Sequence, residues 1–376
     1  MRRRQAIDGV ESVVVKVGTR VLTDAKGKLD RNRVRALSAG LCAIADTGRQ
    51  TIIVSSGAVG AGIGKLGLES RPTELGQLQA VAAIGQADLI QAYESALATG
   101  GRHAAQVLLT ANDLRQRDGY LHVRNALTRI AEMNAIAVIN ENDSVAVAEL
   151  RTTFGDNDGL AAQVAGLLDD CLLVILSDVD GLYDGPPTNP YSKRLSLVET
   201  IDQSIHDFAN DEANSVSKGG MSSKLAAAEL ATSCGHPVII GPGRDDRVLD
   251  RILAGEDVGT LFLPNERMLR GRRRWIRGSA AVEGTLIVDE GAARALRDHG
   301  RSLLAIGVTR VDGNFEAGSV IAIQTDAGAD VARGLCNYSS DALTRLCGAT
   351  SDQIAAILGH CPYESVVHRN NLTLES

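Results

Sequence analysis

The feature that most constrains this chain is a repeated unit: a short apolar run of β character, a loop bearing glycines and acids, then an amphipathic helical stretch. The apolar runs are Val13–Val15, Thr51–Val54, Gln106–Leu109, Ala135–Ile139, Leu172–Leu176 and Pro237–Ile240. Between them Val34, Leu37, Leu41 and Ile44 recur at helical spacing, and so do Leu78, Val81, Ile84, Ile90, Tyr93 and Leu97. Leu121–Met133, Leu160–Leu168 and Leu225–Thr232 supply further helices. Apolar runs without polar alternation suit parallel strands buried on both faces, with helices as the covering layers. Residues 1–263 therefore read as an α/β domain built on a doubly wound, mostly parallel sheet.

The loops between these elements carry the chemistry. In order they are Lys16-Val-Gly-Thr19, Ser55-Ser-Gly-Ala58, Asn140-Glu-Asn-Asp143, Gly155-Asp-Asn-Asp158, Ser177-Asp-Val-Asp-Gly-Leu-Tyr183 and Gly219-Gly-Met-Ser-Ser-Lys224. Loops at the carboxyl ends of parallel strands converge on one crevice, and ligands bind there. Glycines admit backbone N–H groups close to phosphates. Lys16 and Lys224 are placed to touch phosphate oxygens from two sides. Asp143, Asp156, Asn157 and Asp158 offer acceptors for a substrate ammonium or for the lysines, and Asp156 and Asn157 also suit the capping of the Leu160 helix. Ser56 and Gly57 can donate to a substrate carboxylate. Such a site grips a polyphosphate beside a small charged substrate, which points to a small-molecule kinase. Transfer to a carboxylate needs no general base, because the nucleophile is already an anion. The task is to neutralise charge and hold the reactants in line.

Other readings fail on spacing. No G-x-x-x-x-G-K-[ST] occurs, which excludes a P-loop. Gly62-Ile-Gly-Lys-Leu-Gly67 matches G-x-G-x-x-G but lies too far past its strand, with Glu69–Glu74 where the nucleotide-binding helix should run. Asp178-Val-Asp180 lacks the later ligands of a calcium loop. The six cysteines form no CxxC pair and the seven histidines show no metal-ligand spacing, so reduced, buried thiols and no protein-held metal are expected. With 39 basic against 46 acidic residues, the net charge of −7 argues against a general polyanion binder. Met1–Arg4 is not followed by an apolar signal core, and no run approaches the ~18 apolar residues of a membrane span. A cytoplasmic protein without membrane contact is expected.

Character changes near Pro264. Arg270–Arg277 is a basic cluster, and Gly284–Val288, Leu303–Val308, Ser319–Ile323 and Ala332–Leu335 read as short strands separated by turns. Residues 264–275 read as a linker and 276–376 as a small, mostly-β domain.

The conjunction of Ser-Ser-Gly-Ala, Ile-Asn-Glu-Asn-Asp, Gly-Asp-Asn-Asp and Gly-Gly-Met-Ser-Ser-Lys resembles the glutamate 5-kinases, a family of the amino-acid kinase superfamily. The resemblance spans essentially the whole chain, and the second domain is similar to the PUA domain appended to bacterial members. Asp178-Val-Asp-Gly-Leu-Tyr183 alone is only a superfamily marker. The resemblance implies ATP-dependent phosphorylation of the γ-carboxylate of L-glutamate, the first step of proline biosynthesis. Lys16 and Lys224 would contact the transferring phosphoryl group, and Asp158 would hold those lysines in place. Ser56, Asp143 and Asn157 would bind glutamate, with Asn142 and Asp156 close by. Ser177 and Asp178 would lie along ATP, while Lys218, Gly219, Gly220, Met221, Ser222 and Ser223 wrap its phosphates. Magnesium would ride on those phosphates with no protein ligand. The resemblance further implies inhibition by proline, hand-off of the labile product to glutamate-5-semialdehyde dehydrogenase, and a homo-oligomer. Three positions depart from the family pattern: Lys218 stands where a small residue is usual, Arg151–Phe154 lengthens a link, and His122-Val-Arg124 replaces Asn-Ala-Arg. Two alternatives remain, a related kinase with another carboxylate acceptor and an RNA-binding protein acting through the PUA-like domain. Overall acidity and only 3% aromatic residues argue against RNA.

Overall fold

The computed structural model describes residues 2–115, 117–145, 157–186, 189–211, 220–264, 276, 280–360 and 363–375. They fall into two compact units that part near residue 270. The first is built on eight strands: β1 (Ser12–Val17), β2 (Gln50–Ser55), β3 (His103–Leu109), β4 (Ala135–Glu141), β5 (Cys171–Ser177), β6 (Leu197–Val198), β7 (Val238–Pro242) and β8 (Thr260–Phe262). Their order is β3-β4-β2-β1-β5-β7-β8-β6. All neighbours run parallel except β7 and β8. The doubly wound, mostly parallel sheet anticipated from the apolar runs is thus the fold of this unit.

The strand order explains where a ligand goes. From β1 the chain builds one side of the sheet, with β2, β4 and β3 outward in that spatial order, then returns to β1's other edge with β5. Val17 is paired with Ser55 on one side and with Leu176 on the other, and Ser177 with Pro242. The loops after β1, β2, β5 and β7 therefore leave the sheet side by side, at the point where the winding reverses. The core needed to hold them is dry, with Val13, Val14, Val15 and Val17 of β1 wholly buried.

The edge strand β3 begins at His103, earlier than the apolar run suggested, because one of its sides faces outward and tolerates polar residues. Helices cover the central strands: Arg31–Asp46, Ala58–Leu66, Leu75–Leu97, Arg117–Glu132, Asp158–Leu167 and Gly220–Ser233. The glycine run that mimics a dinucleotide motif belongs to the helix Ala58–Leu66, where Gly62 serves packing and Gly67 is the left-handed C-cap. A Cβ at Gly85 of the long helix would stand 1.9 Å from the Ala58 carbonyl oxygen and 2.3 Å from the Gly62 nitrogen. One at Gly62 would meet the Val81 carbonyl oxygen at 2.0 Å. Backbone touches backbone at this crossing, and it holds the helix that starts at Gly57, where φ is 105°. Gly85→Ala is expected to cost about 1–3 kcal/mol by overpacking. Gly166→Ala, where a Cβ meets nothing within 4 Å, should be neutral or stabilising by up to ~1 kcal/mol. Thermal unfolding of the two variants checks the contrast.

The second unit has strands β9 (Val282–Val288), β10 (Val308–Asp312), β11 (Val320–Thr325), β12 (Asp330–Leu335) and β13 (Leu372–Leu374), in the order β10-β9-β11-β12-β13. Its core gathers Leu286, Val288, Phe315, Ile321, Ile323 and Val331 with Leu296, Leu343 and Leu346 from two short helices. It is small and mostly β, as anticipated. The strand expected at Leu303–Val308 is a correction. Leu303 makes an isolated bridge to Val367, Ala305–Gly307 is a 3-10 turn, and the strand begins at Val308. Leu303 and Ala305 are buried while Leu304 and Ile306 are exposed, so burial alternates with a period of two over a backbone that is not extended.

Five cysteines, Cys42, Cys171, Cys234, Cys336 and Cys347, are free. Burial pushes the Cys336 thiol up to about 11, which leaves it unreactive. Among the described residues no helix is long and apolar enough to cross a membrane.

Candidate active site

Strand alternation sends Val13, Val15 and Val17 into the core on one face of β1 and Lys16 to the other. There the helix Asp158–Leu167 packs across the strand, and its first residue meets the lysine. Asp158 is fully buried. Lys16 Nζ pairs with its Oδ1, and Lys224 Nζ lies 3.1 Å from its Oδ2. Ser223 Oγ donates to the same Oδ2 at 3.3 Å. Lys224 Nζ also donates to the Gly220 carbonyl at 2.9 Å, one turn back in its own helix. An acid in the first helical turn is favoured by the helix dipole. Two cations, Lys16 buried and Lys224 partly buried, around one buried anion leave one positive charge in excess, an arrangement ready for an incoming anion.

Asn157 precedes Asp158 at the helix start, but its side chain does not cap the helix. This corrects the expectation for that residue. Its amide Nδ2 instead donates to the Ser55 carbonyl at 3.2 Å, to Ser56 Oγ at 3.3 Å and to Asn140 Oδ1 at 2.9 Å. The Ser55 carbonyl can only accept, so the atom facing it is the nitrogen, whose two hydrogens are shared among the three neighbours. Asn140 Nδ2 donates in turn to Gln86 Oε1 at 2.9 Å, and Ser55 Oγ and the Tyr93 hydroxyl share a hydrogen bond of 3.0 Å. Ser55, Ser56, Gln86, Asn140 and Asn157 are all buried. Asn157 Oδ1 has no hydrogen-bond partner among the described residues. Gln86 Nε2 is likewise without a partner among the described residues, and the buried acceptor left open at Asn157 is placed to receive a donor from a ligand.

Asn142 and Asp143 follow β4. The Asn142 N–H donates to the Leu109 carbonyl at 2.8 Å, tying this loop to the end of β3. Burial, with the nearby Glu141 adding to it and Arg71 opposing, pushes the Asp143 carboxyl up to about 6. A cation bound beside it would reverse that shift.

On the other side of β1, Ser177 Oγ donates to Asp178 Oδ1 at 3.1 Å, and Arg20 Nη1 pairs with Asp178 Oδ2 at 2.8 Å. Burial alone would raise the Asp178 carboxyl, but bonds from Arg20 and Ser177 hold it below its usual value. A pocket of about 300 Å³ opens here, lined by Ser177, Asp178, Val179, Asp180, Tyr183, Pro242 and Arg244. Among the described residues no group of three or more His, Cys, Asp and Glu is arranged to hold a metal ion.

The structure thus joins Lys16, Asp158 and Lys224 in one cluster, and links Ser56 to Asn157 in a second. Ser177 and Asp178 line a third place, and Asp143 sits at the end of β4. Gly220 starts the Lys224 helix, where Met221 is buried and Ser222 exposed. Asp156, Lys218 and Gly219 lie outside the described residues, as do Arg151–Phe154 and, apart from the buried Ile276, the Arg270–Arg277 cluster. Sequence reasoning left out Gln86, Asn140, Arg20, Tyr183 and Arg244 as site residues.

Comparison with known proteins gives the family. The amino acid kinase family profile matches residues 11–242, and the PUA domain profile residues 284–358. A glutamate 5-kinase of Rhodopirellula baltica is 61% identical over 372 residues, covering 99% of this chain and 96% of that protein. A glutamate 5-kinase of Pseudomonas fluorescens is 44% identical over 374 residues, covering 99% and 100%. One from Moorella thermoacetica is 42% identical over 370 residues, covering 98% and 97%. Matched by the family profile over residues 11–242 and by these relatives from end to end, the chain belongs to the amino acid kinase family, among the glutamate 5-kinases.

Proposed function

We propose that this enzyme transfers the γ-phosphoryl group of ATP to the γ-carboxylate of L-glutamate, giving γ-glutamyl phosphate and ADP. The observation that carries the reading is the triad in which Lys16 and the partly buried Lys224 clasp the buried Asp158. The glutamate carboxylate attacks the γ-phosphorus, and the bond to the β-phosphate oxygen breaks. No proton moves. The barrier is the approach of one anion to another, so fixed positive charge at the transferring group is what the protein must supply. Lys16 and Lys224 supply it, and Asp158 fixes their separation.

Glutamate is assigned to the space bounded by Ser56, Asn142, Asp143 and Asn157, with Asp156 adjacent in sequence. The open Asn157 Oδ1 and the Asp143 carboxylate receive its ammonium, while Ser56 and the first-turn N–H groups of the Ala58–Leu66 helix receive its α-carboxylate. ATP lies from the Ser177–Asp178 pocket toward Gly219, Gly220 and Ser223. Magnesium on its phosphates would add further charge neutralisation. The assignment of residues 1–263 to the kinase domain, 264–275 to a linker and 276–376 to the PUA-like domain belongs to the same reading. So do cytoplasmic location, a homo-oligomer, feedback inhibition by proline, and delivery of the labile acyl phosphate to the dehydrogenase that reduces it, as a step of proline biosynthesis.

Hydroxylamine traps acyl phosphates. Purified enzyme with magnesium-ATP should form hydroxamate with L-glutamate and little with aspartate or N-acetylglutamate. Equal signal from another acceptor would overturn the substrate, and no signal from folded protein would overturn the activity.

Asp143 gives a pH test. Its pKa near 6 lies above the unfolded value, so the protonated form favours the fold and that contribution is lost as pH rises through about 6. Binding runs the opposite way, because the ammonium needs the ionised carboxylate. The KM for glutamate is expected to rise about tenfold between pH 7.5 and pH 5, with the KM for ATP moving little. Asp143→Asn should raise the KM for glutamate at neutral pH and flatten this dependence. A steep profile surviving in that variant would remove Asp143 from the ammonium site.

A further inference from the structure

Arg33 is the third residue of the helix Arg31–Asp46, whose cap Asp30 accepts hydrogen bonds from the N–H groups of Asn32 and Arg33. Despite its charge it is only 7% exposed. Its guanidinium reaches the loop after β7: Nη1 pairs with Asp246, and Nη2 donates to the carbonyls of Gly243 and, at 3.0 Å, Asp245. The half-buried Asp245 accepts from the Arg247 N–H at 2.9 Å and pairs with Arg251 at 2.7 Å. Burying a guanidinium is costly unless its donors are used. Here the two terminal nitrogens hold a loop whose own residues are mostly polar, while Nε has no hydrogen-bond partner among the described residues.

That loop is one wall of the pocket. Pro242 and Arg244 line it opposite Ser177 and Asp178. The Gly243 N–H donates to the Ser177 carbonyl at 2.6 Å. A Cβ at Gly243 would stand 2.4 Å from Val21 Cγ2 and 2.9 Å from the Ser177 carbonyl oxygen, so only glycine seats there. Arg244 Nη2 donates to the Arg20 carbonyl at 2.6 Å, and Arg20 pairs with Asp178. Gly243, Arg244, Arg20, Asp178 and Ser177 thus form a closed hydrogen-bonded ring beside the pocket, and Arg33 holds the Gly243–Asp246 side of it from within the fold.

We propose that Arg33 is a positioning residue for the nucleotide. By fixing residues 243–246 it sets the gap between Arg244 and Asp178 that admits the nucleoside end of ATP. The inference rests on the assignment of that pocket to ATP. Arg33 touches no substrate in this reading, so its effect is on nucleotide affinity and leaves the transfer step intact.

The test uses the full-length enzyme, with MgADP binding by calorimetry and steady-state rates. Arg33→Met is expected to raise the Kd for MgADP and the KM for MgATP by roughly five- to tenfold. The KM for glutamate and the saturated kcat should stay within about twofold, and Arg33→Lys, with charge but no fork, should fall between. A purely structural arginine would lower Tm and the active fraction and leave both KM values alone. If Arg33→Met does not fold, Asp246→Asn carries the test, since that side chain is 75% exposed. It should raise the Kd for MgADP in the same direction. An unchanged Kd in folded Arg33→Met, or in Asp246→Asn where that variant is needed, overturns the proposal. Asp178→Ala separates the two claims. If it leaves MgADP affinity unchanged, the pocket is not the nucleotide's and both fall. If it weakens MgADP while Arg33→Met does not, the clamp alone is wrong.

Discussion

Replacing Asp158 by asparagine is expected to lower kcat by roughly 100- to 1,000-fold, the scale of losing a preorganised charge-stabilising group. The amide keeps the shape and one acceptor oxygen but removes the charge that both lysines share. Lys16, at 3% exposure, has little water to turn to. Two ammonium groups without a counterion repel each other, so their spacing at the transferring phosphoryl group is lost even if the fold survives. Stability should fall as well, by about 3–5 kcal/mol, because breaking a buried charge cluster from one side leaves uncompensated charge. For a unit of this size that is a drop in Tm of roughly 6–20 °C. Hydroxamate formation and thermal unfolding of Asp158→Asn read the two effects separately. A folded variant with near-normal kcat would remove Asp158 from the mechanism.

The parts of the site legible in the sequence were those where charge interrupts an apolar pattern at a strand end. Lys16 breaks a valine run, and Asp158 and Lys224 stand at the openings of helices, so each declared itself without coordinates. Asn157 was half legible. Its position before a helix suggested a cap, and only the tertiary structure reveals that Ser55, Ser56 and Asn140 compete successfully for its amide. Gln86 and Tyr93 were hidden for a different reason. Both lie on the buried stripe of the Leu75–Leu97 helix, with Ala82, Gly85 and Leu89. Tyr93 does fill the core while its hydroxyl serves Ser55, and helical spacing cannot separate those two jobs. A signal existed for Gln86 and Arg33, since a polar residue inside an apolar helical stripe needs a buried partner. The partner's identity depends on which loop the sheet order brings opposite, and strand order is not written in local periodicity. The pocket wall at Gly243 and Arg244 carries no motif at all, because its shape comes from a close approach to Val21 and a clamp from Arg33.

Lys224→Ala should reproduce the loss in rate without most of the loss in stability, and that dissociation is its value. Its kcat is expected to fall at least ~100-fold. Lys16 cannot stand in, being fixed on β1 with its ammonium against Oδ1 of Asp158. Removing Lys224 still leaves Asp158 paired with Lys16 and bonded to Ser223. No buried charge is stranded, so the drop in Tm should be clearly smaller than for Asp158→Asn. Lys224→Arg keeps the charge, but its planar fork cannot place a single ammonium between Oδ2 and the transferring group. It should recover stability more than rate. The KM for glutamate should change little in either variant, since the ammonium and α-carboxylate are held from the Ser56, Asp143 and Asn157 side. If Lys224→Ala lost stability as heavily as Asp158→Asn while retaining kcat, the triad would be a structural brace and the phosphoryl contact would lie elsewhere. If rate falls and stability holds, the second cation of the triad is spent on the transition state.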